Sequence, residues 1–290
     1  MISIKHAPTA LAPVSNTGQQ ITINQLSISY NDFGSTGKPV LLFIHGFPLN
    51  KGMWSHQLES LSDDFRVIAY DIRGFGQSEG GDTDFSMNLF ASDLIAFMDA
   101  LHLEKVIVCG MSMGGYIALN AINRFPDRFE GLVLCDTQSI SDTPEISMGR
   151  FKKIEKIQQQ GLAQYASESI RQLFTAESFI FIAESVAAVN YMILNTAEQT
   201  IYKTLRALSS RYDMTNTLSQ IAVPVLIMVG KEDSITPPES SWHMYQQLKD
   251  ARVEIIPCAG HMANMENVEM FNEQLRQFAL QFSRQSLAQS

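Results

Sequence analysis

The chain has 290 residues, 45% of them hydrophobic and 18% charged, with a formal net charge of -9. That balance suits a globular protein with a sizeable core. The acidic surplus argues against non-specific binding to nucleic acid or anionic membranes, because no basic face is present to release counterions. No apolar run approaches the roughly 18 residues of a membrane-spanning helix, and the N-terminus lacks a basic stretch followed by an apolar one. A soluble, cytoplasmic protein is expected. Cys109, Cys135 and Cys258 are odd in number, form no C-x-x-C and lie in or beside apolar segments, which reads as reduced core thiols.

Residues 1 to about 19, rich in Pro, Thr, Ser and Gly, read as a loose arm. From Ile21 to Tyr30 apolar and polar residues alternate with one slip, as in an edge strand with one wet face. Buried-type strands follow at Val40–Ile44, Val67–Tyr70, Val106–Cys109, Leu132–Cys135, Val225–Val229 and Val253–Ile256. Helical stretches near Trp54–Leu61, Asn88–Leu101, Gly115–Asn123, Ser240–Leu248 and Val268–Phe282 lie between or after them. Continuous apolar strands alternating with amphipathic helices predict a parallel sheet covered on both faces.

The alternation breaks between about Thr137 and Gln220, where only helical patterning is found. Thr143-Pro144-Glu145 starts a helix that Gly161 ends, and further helices are predicted near 162–174, 176–195 and 197–209. The mixed cluster Lys152-Lys153-Ile154-Glu155-Lys156 reads as a solvated helix face. The division is therefore a core of residues 1–136 and 221–290 with a helical cap, or lid, over 137–220.

The segment Val106–Asn120 carries the sharpest chemical signal. A strand runs into Gly110-Met111-Ser112-Met113-Gly114, and a helix leaves it. Glycines on both sides of Ser112 permit a sharp turn that exposes its hydroxyl beside the N–H groups of the new helix, a nucleophile elbow. A serine hydroxyl is a poor nucleophile without a base and a group to orient that base. His261 lies in a loop between the last strand and the last helix, at the same sheet edge as Ser112, where open α/β sheets bind ligands. Asp233 follows the penultimate strand in Gly230-Lys231-Glu232-Asp233 and is the candidate acid. Glu232 is its neighbour, and Asp136, at the end of the Leu132–Cys135 strand, is a rival whose structural reading is a cap for the segment entering the lid. An oxyanion hole calls for the Met113 N–H and, from His45-Gly46-Phe47-Pro48, the Phe47 N–H. His45 reads as a loop-shaping residue. His6, His56, His102 and His243 have no motif around them and read as surface or packing residues.

Taken together, these segments and Asp71-x-Arg73-Gly74-x-Gly76-x-Ser78 resemble the α/β-hydrolase superfamily over nearly the whole chain. Within it the set looks like the small capped serine esterase and lactonase branch, near the 3-oxoadipate enol-lactonases and cofactor-free haloperoxidases or perhydrolases. The resemblance implies an α/β-hydrolase fold, a mostly parallel twisted sheet flanked by helices, with a helical cap inserted after the sixth strand. It implies that the Asp71–Ser78 segment is a structural turn. It further implies a carboxylic ester hydrolase with the order Ser112, Asp233, His261, acting through an acyl-serine without metal or organic cofactor. Epoxide hydrolases and haloalkane dehalogenases share the His-Gly-x-Pro form but use a carboxylate where this chain has Ser112.

The pocket-flanking residues Phe47, Met113, Ile235 and Met262 are apolar, favouring a small to medium uncharged ester or lactone as the partner. No Arg or Lys cluster near the motifs suggests a strongly anionic substrate, although Arg171, Arg206 or Arg211 of the cap could supply charge. The same three side chains also suit carbon–carbon bond hydrolysis or peracid formation, and a ligand-sensing protein with little turnover is an alternative of another class.

Overall fold

The computed structural model describes residues 18–288, so most of the arm expected over residues 1–19, and His6 with it, lies outside the described residues. Eight strands form one sheet in the order β1-β2-β4-β3-β5-β6-β7-β8. The first difference from the sequence reading is at the edge. The single strand expected over Ile21–Tyr30 is a hairpin of β1 (Gln19–Ile23) and β2 (Leu26–Phe33). Asn24 and Gln25 form its turn, both at positive φ (49° and 65°), the geometry of a two-residue hairpin loop. The slip in the alternation is this turn.

β2 also pairs antiparallel with β4 (Arg66–Tyr70). From there β3 (Val40–Ile44), β5 (Val106–Met111), β6 (Phe129–Cys135), β7 (Val225–Gly230) and β8 (Ala251–Ile256) extend the sheet in parallel. Parallel strands place all their carboxyl ends on one edge, which is what brings distant loops together. Successive side chains go to opposite faces. Leu42 and Ile44 of β3 join one core, and Leu41 and Phe43 join the other. The first core is completed by α2 (Met87–Ala100), α3 (Met113–Arg124) and α9 (Pro238–Tyr245), through Phe90, Leu94, Ile117 and Met244. The second receives α1 (Ser55–Leu61) and α11 (Val268–Ala288), through Leu58, Phe271 and Leu275.

Between β6 and β7 lies the helical insertion: α4 (Pro144–Gln160), α5 (Leu162–Leu173), α6 (Ser178–Phe181), α7 (Ala183–Leu194) and α8 (Glu198–Ser209). The Thr143 hydroxyl accepts the Ile146 N–H, as the N-cap reading of Thr-Pro-Glu requires. The one helix expected over 176–195 is broken at Ile182, whose ψ of 42° leaves the helical region. A four-residue α10 (Ala263–Glu266) precedes α11. None of the described helices is long and apolar enough to cross a membrane. Cys109 and Cys135 are core residues, whereas Cys258 is exposed in a turn at φ 55°, so the core-thiol reading fails for it. Its apolar neighbours belong to the end of β8, and the chain has already turned outward.

Two helical glycines have opposite environments. A methyl group on Gly149 of α4 would meet nothing within 4 Å, whereas one on Gly114 of α3 would collide with the backbone carbonyl of Ile44. Gly149→Ala should therefore raise stability by about 1 kcal/mol through helix propensity. Gly114→Ala should lower it by about 1–3 kcal/mol, the clash outweighing the propensity gain. Urea midpoints at unchanged m-value read both.

Candidate active site

Ser112 is the one residue between β5 and α3, held at φ 53° and ψ -114°. A side chain seldom takes that conformation, and its cost is carried by the surrounding bonds. The Ser112 N–H donates to the Cys135 carbonyl at 2.9 Å, and the Thr137 hydroxyl donates to the Ser112 carbonyl at 2.8 Å. Any side chain at Gly110 would strike the Gly114 carbonyl, and one at Gly114 would strike the Ile44 carbonyl at the end of β3, so α3 can start this close to both strands only with glycine at the two places. The Ser112 hydroxyl is left at the tip of the turn.

The structure brings the three sequence-predicted groups together. His261 Nε2 lies 2.9 Å from Ser112 Oγ, and His261 Nδ1 lies 2.8 Å from Asp233 Oδ2. His261 and Asp233 are both buried, at 2% and 3% exposure. Asp233 Oδ1 accepts the N–H groups of Ile235 and Thr236, and its Oδ2 accepts the Thr236 hydroxyl at 2.8 Å. Burial alone would push the Asp233 carboxyl up. The His261 charge, its hydrogen bond and the Thr236 donors outweigh that and hold it below the usual range. An ionised Asp233 keeps the proton on Nδ1, so that Nε2 is free to accept from the serine.

The two rival acids are placed elsewhere. Glu232 is exposed. Asp136 is buried at φ 45°, and its Oδ1 accepts the Gly230 N–H at 2.8 Å while Oδ2 has no partner among the described residues. Burial and the neighbouring Asp233 charge push its carboxyl well up. Asp136 thus braces the end of β7, from which the Asp233 loop departs, rather than capping the segment that enters the insertion.

Neither the Phe47 nor the Met113 N–H donates to another backbone group among the described residues. Both residues line the same cleft as Ser112 and His261, as donors to a developing oxyanion must. His45 shapes this loop, as its sequence context suggests. Nδ1 donates to the Gly46 carbonyl at 2.9 Å and Nε2 accepts the Ile72 N–H at 3.0 Å. The second bond requires a neutral ring, and burial lowers the His45 pKa from 6.5 to about 4. The Asp71–Ser78 segment is structural too: the buried Asp71 carboxylate accepts from the Lys51 and Gln77 N–H groups and from Lys51 Nζ.

The cleft, with the solvent-open space at its mouth, spans about 650 Å³ between the sheet edge and α4, α5 and α8. Phe47, Met113, Leu205 and Leu208 supply apolar wall, with Ile235 beside them. Met262 does not line it. That side chain is fully buried in the core on the α11 side, because the chain reverses direction after His261 to start α10. A second departure concerns charge. Arg150 and Lys153 of α4 both line the cleft, whereas Arg171 and Arg206 are exposed and Arg211 is engaged with Asp142. Among the described residues no three His, Cys, Asp or Glu side chains gather as a metal site needs.

Sequence reasoning missed two supporting residues. Thr236 holds Asp233, and its place three residues after the acid in an Asx-type turn was the available signal. Glu266 accepts the N–H groups of Gly260 and Thr175 and the Ser178 hydroxyl, each at 2.7 Å. It ties the His261 loop to the insertion across 91 residues of chain, and no local pattern announces it.

A mostly parallel sheet with a hydroxyl, an imidazole and a carboxylate converging at its carboxyl edge defines an α/β hydrolase. The alpha/beta hydrolase fold family matches residues 39–268, and the chain belongs to that family. It is 25% identical over 260 residues to the 3-oxoadipate enol-lactonase 2 of Acinetobacter baylyi, covering 90% of this chain and 96% of that one. It is 27% identical to a bifunctional esterase/perhydrolase of Acinetobacter calcoaceticus, covering 90% and 99%. Among solved structures, a thermophilic esterase from Thermogutta terrifontis superposes with a TM-score of 0.86 at 34% identity, covering 91% and 98%. The chain is a hydrolase with esterase- and lactonase-like relatives.

His45 supplies a pH test of the loop. Its folded pKa of about 4 lies below the ordinary 6.5, so its contribution to stability is complete above pH 6.5 and is lost as pH falls through about 4. The loss amounts to about 3 kcal/mol. The stability difference between the wild type and His45→Gln should therefore shrink between pH 7 and pH 4.5 in urea titrations. A difference independent of pH would show that the ring is not held neutral.

Proposed function

We propose that this protein hydrolyses a carboxylic ester or lactone of small to medium size through an acyl-Ser112 intermediate, with residues 137–220 acting as a lid over the core of 1–136 and 221–290. The observation that carries the reading is the unbroken hydrogen-bonded line from Ser112 Oγ through His261 to Asp233, which opens into a cleft.

As Ser112 Oγ attacks the substrate carbonyl carbon, His261 Nε2 takes the serine proton. Asp233 holds the resulting imidazolium by its Nδ1–H, and the Phe47 and Met113 N–H groups receive the oxyanion. Collapse of the tetrahedral species breaks the carbon–oxygen bond, and His261 returns the proton to the departing alcohol. Water then enters, gives a proton to His261 and attacks the acyl carbon; the bond to Ser112 Oγ breaks, His261 returns the proton to that oxygen, and the acid leaves. In a lactone the alcohol remains tethered to the acyl group, and the steps are otherwise the same. Esterase and enol-lactonase relatives support this class of reaction.

Steady turnover of p-nitrophenyl acetate and butyrate is expected. Ser112→Ala or His261→Ala should lower kcat about a millionfold and Asp233→Asn about ten-thousandfold. Asp136→Asn should cost far less. If Asp136→Asn is the more damaging aspartate change, the acid is misassigned. A single slow burst leaving a stable adduct would instead point to a sensor.

A further inference from the structure

Acidic residues outnumber basic ones in this chain by 30 to 21, yet the cleft at Ser112 is lined by two cations, Arg150 and Lys153, and by no carboxylate among the described residues. The two lie three residues apart on α4 and so share a face. The nearby carboxylates are already engaged. Asp142 is gripped by Arg150 and Arg211, and Glu168 takes Lys156 at 2.5 Å. Three cations thus share two carboxylates, and Lys153 has no ion-pair partner among the described residues. Arg150 commits Nε and Nη2 to Asp142, leaving Nη1 without a hydrogen-bond partner among those residues.

We propose that Lys153, assisted by Arg150, forms a subsite for a carboxylate carried by the substrate, so that the preferred ester or lactone is a monoanion with its charge remote from the scissile bond. This rests on the hydrolase reading above. Arg150 already shares Asp142 with Arg211, so Lys153 is the cation lining the cleft that has no ion-pair partner among the described residues, and a single substrate carboxylate is the anion that would complete its pair. The apolar wall of Phe47, Leu205 and Leu208 suits the methylene chain of such a substrate. Lys153 is an exposed residue, but loss of water around its ammonium, and then the Arg150 charge, lower its pKa. A bound anion relieves both effects.

The test compares mono-p-nitrophenyl glutarate with p-nitrophenyl pentanoate, which share leaving group and acyl length and differ in the terminal carboxylate. The wild type should favour the glutarate ester in kcat/KM by about tenfold or more at low salt, with the ratio falling as ionic strength rises. Lys153→Gln should bring the ratio close to one, and Lys153→Arg should keep most of it. Turnover of both esters without preference, or a preference that Lys153→Gln does not move, overturns the subsite and leaves the esterase reading standing. If neither ester turns over, the esterase reading falls, and calorimetry with free glutarate and pentanoate decides the subsite separately. Either acid can offer one carboxylate to the Phe47 and Met113 donors, but only glutarate offers a second. Tighter glutarate binding that Lys153→Gln abolishes supports the subsite, and equal binding refutes it.

Discussion

The contact between His261 Nε2 and Ser112 Oγ closes a loop of 149 residues, and the rest of the structure is arranged so that it can form. Two loops so distant meet only because every strand from β3 onward runs the same way and ends at the same edge. Small errors are not absorbed there. A hydrogen bond of 2.9 Å tolerates a few tenths of an ångström, so the ends of β5, β7 and β8 must be fixed against one another. Glycine supplies the close approaches: a methyl at Gly230 would collide with the Gly260 carbonyl, as one at Gly114 would with that of Ile44. Side-chain bonds supply the rest, Asp136 on Gly230 and Glu266 on Gly260.

Asp136 and Asp233 show how environment divides two buried carboxyls between different tasks. Asp233 has four donors, two from backbone, one from Thr236 and one from His261, and these hold it ionised despite burial. Asp136 has one donor to its side chain, from Gly230, and burial next to Asp233 pushes its pKa up. A second anion at this depth would compete for the imidazolium and work against the first. Asp136 braces β7 through the Gly230 N–H, and its raised pKa lessens the negative charge it sets beside Asp233.

What could be read from the sequence was what local chemistry enforces. A serine that must turn from strand to helix needs small neighbours, so Gly110 and Gly114 mark it. An acid and a base that must follow the last two strands are marked by order alone. The β1–β2 hairpin was hidden because Asn24 and Gln25 stand where an Asn-Gly pair would have announced the turn, and because both strands keep the same alternation. Met262 was misjudged for a different reason, and Lys153, exposed as the solvated-face reading expects, also borders the cleft. Proximity to a motif does not say which way a side chain points, and a helix with a polar face can turn that face to solvent or to a neighbouring element. Lys153 belongs to a charge cluster that looks solvated in one dimension, and only the packing of α4 against α5 and α8 shows that part of it borders a cleft.

That packing also bears on how the cleft is built. Leu173, Phe174, Val186, Val189 and Ile193 of the insertion are buried in the same core as Trp54 and Phe271. Ile154, Ile157, Ile201 and Leu205 make a smaller core of their own between α4 and α8. The insertion is therefore anchored on one side by the main body and on the other by itself, with Asp142 linking Arg150 of α4 to Arg211 just beyond α8. Apolar burial on this scale fixes the helices more firmly than the exposed Lys156–Glu168 pair between α4 and α5. The cations facing the cleft thus stand on a wall that is already in place before a ligand arrives, and little ordering is needed to present their charge.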